Sequence, residues 1–241
     1  MPYSFSSFSQ LLCGFVLLAW PVGAGQSAVQ ADVQEVFRGD SDLRTIEVSV
    51  NGTEVTLGGR VPIFWVKAQA IKKALAVAGV ESVVSELDIS AREDDRELAQ
   101  EVGRAVSRYP HYTLWDYVDG AVNQGVVTLI GSVTPDRDKA GELFERVAKI
   151  RGVQDVRSSV ETQPASSFDA DIRSAIGSKL FNSLDFKEYS TRSNPPFHII
   201  VDHSVVRLVG EVRSAVERRR LEQLVGQVQG VLRVVNDLQE R

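Results

Sequence analysis

The sequence predicts an α+β protein of three tandem repeats, each with the element order α-β-β-α-β and two helices on one face of a three-stranded sheet. Three observations predict this fold. A pair of glycines recurs three times, strand-like alternation precedes the first glycine of each pair, and a helix-like pattern follows it. The glycines within a pair are 20, 21 and 20 residues apart. We expect these glycines to be structural: Gly59 and Gly79, Gly131 and Gly152, and Gly210 and Gly230.

The first glycine of each pair ends the second strand of a predicted β-hairpin. In the first copy Val48 and Val50 alternate with polar residues, which is typical of a half-buried strand. Asn51-Gly52 then favours a tight turn, because both residues tolerate a positive φ angle. The third copy is expected to turn in the same way at residues 202–204. A third strand follows the second glycine of each pair.

Each repeat is predicted to contain a helix before the hairpin and a second helix between its two glycines. The leading helix of the first copy, in the stretch "ADVQEVFRG", is expected to be short. In the second copy Thr134 is the expected N-cap of the second helix, and Pro135 fits the first turn because a missing N–H is tolerated there. The corresponding helix of the first copy has its expected core stripe at Phe64, Ala68, Ile71 and Leu75.

Residues 1–24 are predicted to be a secretory signal peptide. The stretch from Met1 to Ala31 contains no acidic or basic side chain, and Leu11 to Trp20 is an uninterrupted apolar run. The run is shorter than the ~20 residues of a membrane-spanning helix, and small residues that suit cleavage follow it. The only cysteine, Cys13, lies in this leader. We therefore expect a periplasmic mature chain with no disulfide and no thiolate metal site.

The mature chain is predicted to divide into three repeats at residues 28–90, 93–162 and 168–241. Linkers are expected where charged and small residues gather, in "SAREDD" at 90–95 and in "TQPASS" at 162–167. A unit of this size buries only about 60% of the surface of its unfolded chain. Packing between neighbouring repeats is therefore expected to add stability.

Two short motifs recur in all three copies and connect the repeat to a known family. In the second copy they read "GVVTLIGSV" from Gly125 to Val133 and "GVQDV" from Gly152 to Val156. With these motifs the repeat resembles the BON domain, the bacterial osmotic-shock and nodulation module. The resemblance covers nearly the whole predicted mature chain. It implies a non-enzymatic protein of the bacterial cell envelope, similar to osmotically inducible periplasmic proteins and associated with phospholipid surfaces and osmotic stress.

The chemistry-bearing residues do not form a catalytic or metal-binding pattern. Asp202, His203 and Ser204 are consecutive in a predicted turn, where neighbouring side chains diverge. The other histidines, His111 and His198, show no ligand spacing, and His198 is expected to be exposed or half-covered. The net charge of −5 argues against a nucleic-acid partner. We expect no enzyme activity, no metal and no cofactor.

Two surface features are candidates for contact with a membrane. The first is on the helix of the first copy, where Phe64 and Trp65 lie near Lys72 and Lys73. An exposed tryptophan beside lysines is typical of an interfacial anchor. The alternative is that Trp65 packs against the neighbouring repeat, as large aromatic side chains usually do.

The second candidate feature is the basic triplet from Arg218 to Arg220, which is expected to face solvent opposite the apolar stripe of its helix. The third copy is also the only one without an acidic excess. The alternative is an ordinary solvated helix face. Each basic residue near an anionic surface contributes about 1 kcal/mol, so the expected binding is weak, peripheral and sensitive to salt.

These observations lead to a non-enzymatic periplasmic protein that binds anionic phospholipid surfaces and supports envelope integrity under osmotic stress. The alternative is a protein-interaction scaffold, or a chaperone-like module for outer-membrane assembly, with envelope proteins as partners. The aromatic insert of the second copy, "YPHYTLWDY", could serve that alternative, although ordinary core packing would also explain it. Its aromatic residues are Tyr109, Tyr112, Trp115 and Tyr117.

Overall fold

The structure is a computed structural model that describes residues 22–191 and 195–241. These residues form a mixed α+β fold with six α-helices and three β-sheets, as the sequence predicts. The predicted signal peptide, apart from its last three residues, lies outside the described residues. In the part of the chain that is described, no helix is both long and apolar enough to cross a membrane.

The helices and strands fall into three groups along the chain, which we call the first, second and third units. The first unit consists of α1 (Val22–Arg38), β1 (Glu47–Asn51), β2 (Glu54–Val61), α2 (Phe64–Leu75) and β3 (Ser82–Ile89). The second unit consists of α3 (Asp95–Ser107), β4 (Tyr117–Asn123), β5 (Val126–Val133), α4 (Lys139–Ala148) and β6 (Asp155–Thr162). The third unit consists of α5 (Ser167–Asn182), a 3-10 helix (Lys187–Thr191), β7 (Phe197–Asp202), β8 (Val205–Val212), α6 (Ala215–Gly226), β9 (Arg233–Asn236) and β10 (Gln239–Glu240).

Each sheet combines an antiparallel hairpin with a parallel partner. The strand orders are β1-β2-β3 and β4-β5-β6, and in the third unit β8 lies between β7 on one side and β9 and β10 on the other. The hairpin turns of the second and third units are tight and left-handed, with φ of 52° at Gln124 and 76° at Gly125, and 46° at His203 and 64° at Ser204. In the first unit the prediction of an Asn51-Gly52 turn is wrong by one residue, because Asn51 ends β1 and the turn is formed by Gly52, with φ of 64°, and Thr53. Such turns match the twist of the two strands that they join.

The recurrent glycines occupy backbone positions that a larger residue would strain. The first glycine of each pair lies within the second strand of its hairpin, and φ is 148° at Gly131 and 100° at Gly210. A Cβ atom at Gly131 would overlap the carbonyl oxygen of Tyr117, and one at Gly210 would overlap that of Pro196. The second glycine of each pair also has positive φ, but it lies three residues beyond the helix C-cap rather than at the cap.

Three local predictions about helices are wrong. The leading helix of the first unit is not short, because α1 contains 17 residues. Thr134 does not cap α4, which begins five residues later with Asp138 accepting a hydrogen bond from the Gly141 N–H. The buried stripe of α2 is formed by Phe64, Val66, Ala70 and Ala74. Of the other predicted core residues, Ala68 and Ile71 are only partly buried against it, and Leu75 is 48% exposed.

The units share their cores unequally. The apolar cores of the first and second units form one continuous cluster, whereas the third unit has a cluster of its own. The first two units meet where α2 packs against α4, with the rings of Phe64 and Phe144 edge to face at 6.3 Å. Leu114 belongs to the core of the third unit, although it lies in the aromatic insert of the second. The second unit therefore packs on both of its neighbours.

We expect Gly131→Ala to lower the free energy of unfolding by at least about 2 kcal/mol, because it combines a positive φ angle with backbone overlap. The matched control is Gly103→Ala, since a Cβ atom at Gly103 in α3 would meet no atom within 4 Å. Replacing an interior helix glycine with alanine should stabilise by about 0.5–1 kcal/mol. Urea unfolding of both variants measures the two effects, and similar midpoints would contradict the role given to Gly131.

Candidate functional site

The aromatic insert, residues 109–117, is fixed to the second unit by a buried carboxylate. Asp116 is fully buried and accepts hydrogen bonds from the N–H and hydroxyl groups of Thr113, at 2.8 and 2.7 Å. It also accepts from the N–H of Thr134 at 2.8 Å and from Nζ of Lys139 at 2.9 Å. Lys139 is only 1% exposed, so both charges of this ion pair lie in the protein interior. Sequence reasoning missed this pair because helical spacing alone places Lys139 in a first turn that usually faces solvent.

The same insert contacts the third unit. The Leu114 carbonyl accepts a hydrogen bond from the N–H of Ile199 at 2.8 Å, and the Trp115 carbonyl accepts one from Nε2 of Gln163 at 2.9 Å. Arg173 of α5 donates both to Oε1 of Gln163, at 2.8 Å, and to the Val201 carbonyl, at 2.9 Å. The linker and the insert are therefore tied to the third unit by hydrogen bonds to buried groups.

His198 lies in this contact and is not exposed, contrary to the sequence prediction. It is 7% exposed, and its ring packs edge to face against Tyr112, at a centroid distance of 5.3 Å. The Tyr117 ring lies 6.0 Å away. Burial lowers the pKa of His198 below its ordinary value, since the charged imidazolium would lose its hydration. The sequence prediction failed because the insert covers the face of the third sheet that was expected to face solvent.

A cleft of about 410 Å³ runs between the second and third units beside this contact. One wall is the side of α3 that carries Ala99, Gly103 and Ser107. The opposite wall and the floor come from the third unit and from the aromatic insert. Their lining residues include Tyr112, Tyr117, Pro195, Pro196, His198, Glu211 and Arg241.

The structure places the two aromatic membrane candidates of α2 between units and leaves the two lysines outside that contact. Phe64 is buried against Phe144 of the second unit. Trp65 is half-buried, with the ammonium group of Lys149 5.2 Å from its ring centroid. Lys73 pairs with Asp40 at 2.6 Å, whereas Lys72 is exposed. The geometry therefore corresponds to the alternative in which the aromatic pair packs against the neighbouring repeat.

The arginines of α6 are only partly directed to solvent. Arg218 donates to the carbonyl oxygen of Asn236 at 2.9 Å, and Arg220 pairs with Asp185 at 2.5 Å. Arg219 is exposed, and it donates a hydrogen bond to the Ala215 carbonyl one turn earlier in its own helix. Because Arg218 is hydrogen-bonded to Asn236, it does not face solvent in the way that the sequence predicts for all three arginines.

Exposed apolar residues lie beside these arginines, and sequence reasoning missed them. Leu184, next to the Asp185 that pairs with Arg220, is 95% exposed. Val216, in the first turn of α6, is 51% exposed. Asp185, Val216 and Arg220 line one shallow groove. The sequence feature that could have indicated this surface is Leu184, an apolar residue just beyond the end of α5 and outside its periodic apolar stripe. We call Leu184, Val216, Arg219 and Arg220 the α6 surface.

The β7–β8 hairpin turn brings together Asp202, His203 and Ser204, which are the residue types of a catalytic triad. His203 is exposed, and its Nδ1 lies 2.5 Å from a carboxylate oxygen of Asp202. The N–H groups of His203 and Ser204 both donate to the carboxylate of Asp169 at the start of α5. Across residues 22–191 and 195–241, no three histidine, cysteine or acidic side chains cluster closely enough to hold a metal ion.

Comparison with known proteins finds one family. The model of the BON domain matches residues 26–91 and 168–241, which together make up more than half of the chain. Two solved structures of CdsD, a structural protein of the Type III secretion system of Chlamydia trachomatis, are similar to this chain. The C-terminal domain has 16% identity and a TM-score of 0.26, with 88% of this chain and 96% of that chain covered. The other has 17% identity and the same TM-score, with 88% and 92% covered. This TM-score is too low to support an inference, and no curated protein matches the chain.

We expect Asp116→Ala to lower the free energy of unfolding by about 3 kcal/mol, because it leaves the buried Lys139 ammonium with only the largely exposed carboxylate of Asp136, 3.2 Å away, as a counter-charge. The double variant Asp116→Ala with Lys139→Met removes both charges and should be less destabilised than the single variant. The exposed pair of Arg157 and Asp155 is the control, and Arg157→Ala should change stability by less than about 0.5 kcal/mol. Urea unfolding measures the stability of all three variants. A double variant that is less stable than Asp116→Ala would contradict this explanation.

Proposed function

The chain belongs to the BON domain family, and from this premise we propose that it is a non-enzymatic cell-envelope protein that binds anionic phospholipid surfaces weakly and reversibly. Family membership supports an envelope-associated role, and the association of similar proteins with phospholipid supports the choice of ligand. The observation that carries the proposal is the almost complete exposure of Leu184 next to Asp185, the residue that pairs with Arg220. Support of envelope integrity under osmotic stress is part of the same proposal.

We also propose that residues 93–162 are a third BON repeat between the two matched segments. Three features of this segment support the assignment. Its element order is that of the first unit, its Gly131 and Gly152 have positive φ like Gly59 and Gly79, and its sheet has the same strand order. The carboxylate of Asp95 accepts hydrogen bonds from the hairpin-turn N–H groups, as Asp169 does in the third unit.

The α6 surface has the chemistry that an anionic bilayer would recognise. Leu184 and Val216 can enter the headgroup region, and the two arginine side chains can pair with lipid phosphates. Inserting the leucine contributes about 2 kcal/mol, and each basic group near the surface contributes about 1 kcal/mol. With the half-exposed valine the total is about 5–6 kcal/mol, which corresponds to a dissociation constant on the order of 100 µM. Because Arg220 also pairs with Asp185, lipid phosphate must compete with this carboxylate.

We expect Leu184→Ser to weaken binding to phosphatidylglycerol liposomes, measured by sedimentation, by about thirtyfold, because it removes the side chain that would be inserted. Joint replacement of Arg219 and Arg220 with alanine should also weaken sedimentation, and it should reduce the loss of binding when salt is added. The matched control is Ile130→Ser in the second unit, since Ile130 is 51% exposed but far from these arginines in sequence. No sedimentation of the wild-type protein at low salt, or an equal loss with Ile130→Ser, would overturn the assignment of this surface.

Periplasmic location is a further part of the proposal, with residues 1–24 as a cleaved signal peptide. In that case α1 loses only its first three residues on cleavage, because it begins at Val22. The expected result is a periplasmic protein whose first residue is Gly25. Intact-mass measurement of the protein recovered from osmotically shocked cells checks this directly. Recovery of the full-length chain from the cytoplasm would contradict it.

A further inference from the structure

The aromatic insert of the second unit packs along the outer edge of β7. In the β7–β8 hairpin, Asp202 is opposite Val205 and flanks the two-residue turn, so these two residues exchange hydrogen bonds. Bonded pairs alternate along the ladder, and the backbone N–H of Ile199 therefore points away from β8. This N–H donates to the carbonyl oxygen of Leu114 at 2.8 Å. The insert thus occupies an edge that the third sheet does not satisfy by itself.

The apolar cores of the chain divide at this same contact. The first and second units share one cluster of buried side chains, and the third unit has another. To the core of the third unit the insert contributes Leu114, with Trp115 partly buried beside it. Separation of the units would withdraw these two side chains and leave the rest of both clusters assembled. The third unit can therefore open from the second as a folded body, as cooperative sub-units of a protein do.

The His198 ring is enclosed by side chains and backbone groups of the insert. It is 7% exposed, with the ring of Tyr112 at 5.3 Å and that of Tyr117 at 6.0 Å. Its Nδ1 lies 3.4 Å from the carbonyl oxygen of Thr113, and the ring also forms a backbone hydrogen bond with Asp116. All four neighbours lie in the insert, whereas the histidine lies in β7. Separation of the units would therefore return the imidazole to water.

Burial in this contact controls the charge of His198. Loss of hydration lowers the pKa of the ring and outweighs the backbone hydrogen bonds and the carboxylate of Asp116, which favour the imidazolium. That carboxylate is already paired with Lys139 at 2.9 Å. The docked state therefore holds the ring neutral, whereas an exposed histidine has a pKa of about 6.5.

The other titratable and charged groups around the ring come from the insert, from β4, from β8 and from the end of the chain. Burial raises the pKa of Tyr112 and of Tyr117, so both phenols stay neutral. Asp119, Glu211 and Arg241 line the cleft beside the ring, and the last two form an ion pair. A histidine is the side chain whose charge normally changes between pH 5 and pH 8, so mild acidification acts on the buried imidazole.

We propose that the contact between the second and third units is sensitive to pH, and that protonation of His198 releases the third unit from the aromatic insert. The separated state binds a proton more readily than the docked state. Docking is therefore most stable above about pH 6.5 and weakens as the pH falls below this value. One proton can change the docking equilibrium by at most about tenfold for each pH unit.

The test measures hydrogen exchange of the Ile199 N–H in the full chain, because this amide is bonded across the contact. After correction for the intrinsic exchange rate, we expect its opening constant to increase by about 3–10-fold between pH 7.5 and pH 5.5. The amide of Leu129, in the central strand of the second sheet, should show no such increase. This difference distinguishes release of the third unit from unfolding of the whole chain.

Variants at position 198 show whether this histidine is responsible. His198→Phe keeps a ring against Tyr112 but cannot be protonated, so its opening constant should be the same at both pH values. His198→Asn, which keeps an amide nitrogen near the position of Nδ1, should lose the response in the same way, so the test does not depend on one variant. The matched control is His111→Phe, which removes an exposed imidazole of the same insert and should keep the wild-type response.

The proposal is overturned if the wild-type opening constant does not increase, or if the increase persists in the variants at position 198. An equal increase at Leu129, or loss of the response in His111→Phe, would also overturn it. The measurement contains no lipid, and none of the contact residues belongs to the α6 surface. A failure of lipid binding therefore leaves this proposal intact, and the reverse is also true.

Discussion

The arrangement of the units depends on one buried ion pair. Transferring the Asp116 carboxylate and the Lys139 ammonium from water into the protein interior carries a penalty of several kcal/mol for each ion. Their mutual attraction offsets this penalty only because three further hydrogen bonds reach the carboxylate, from the N–H and hydroxyl groups of Thr113 and from the N–H of Thr134. With Asp116 held in this way, Leu114 and Trp115 face the third unit, where their carbonyl groups are bound.

The second unit acts as the structural centre of the chain through two different surfaces. Its helix α4 contacts the first unit through Phe144 and Lys149, so Phe64 and Trp65 of α2 are used in stabilising the fold. Its insert covers one face of the third sheet, which is why the His198 imidazole is buried and its pKa is depressed. The aromatic side chains of α2 and of the insert therefore form contacts between neighbouring units, whereas Phe186, Tyr189 and Phe197 pack within the third unit. The exposed apolar groups that remain beside basic residues are concentrated on the third unit.

The sequence predicts what depends on local backbone geometry and does not predict what depends on contacts between units. The positive φ angle at Gly131 follows from a glycine at a fixed distance from an alternating strand, and the turn at residues 202–204 follows from hairpin spacing. The role of Thr134 was predicted wrongly. A threonine just before a helix can cap that helix or donate to a buried carboxylate, and the local sequence does not distinguish the two roles. His198 was misjudged for a related reason, since strand alternation gives the face of a residue but not what covers that face. Leu184 carries no periodic signal at all, and only the completed fold reveals its exposure.

Leu232 in the third unit and Gln154 in the second unit occupy equivalent backbone positions, but their side chains have different surroundings. The N–H of Leu232 donates to the Ser204 carbonyl at 2.9 Å, just as the N–H of Gln154 donates to the Gly125 carbonyl at 2.9 Å. The side chain of Gln154 returns to the backbone by donating to the carbonyl of Ala91, whereas the Leu232 side chain is 80% exposed. An apolar group at an exposed loop position, where the equivalent residue is satisfied by hydrogen bonds, adds nothing to the stability of the unit. The additional exposed apolar groups of the third unit are therefore better explained by contact with a surface outside the chain than by folding.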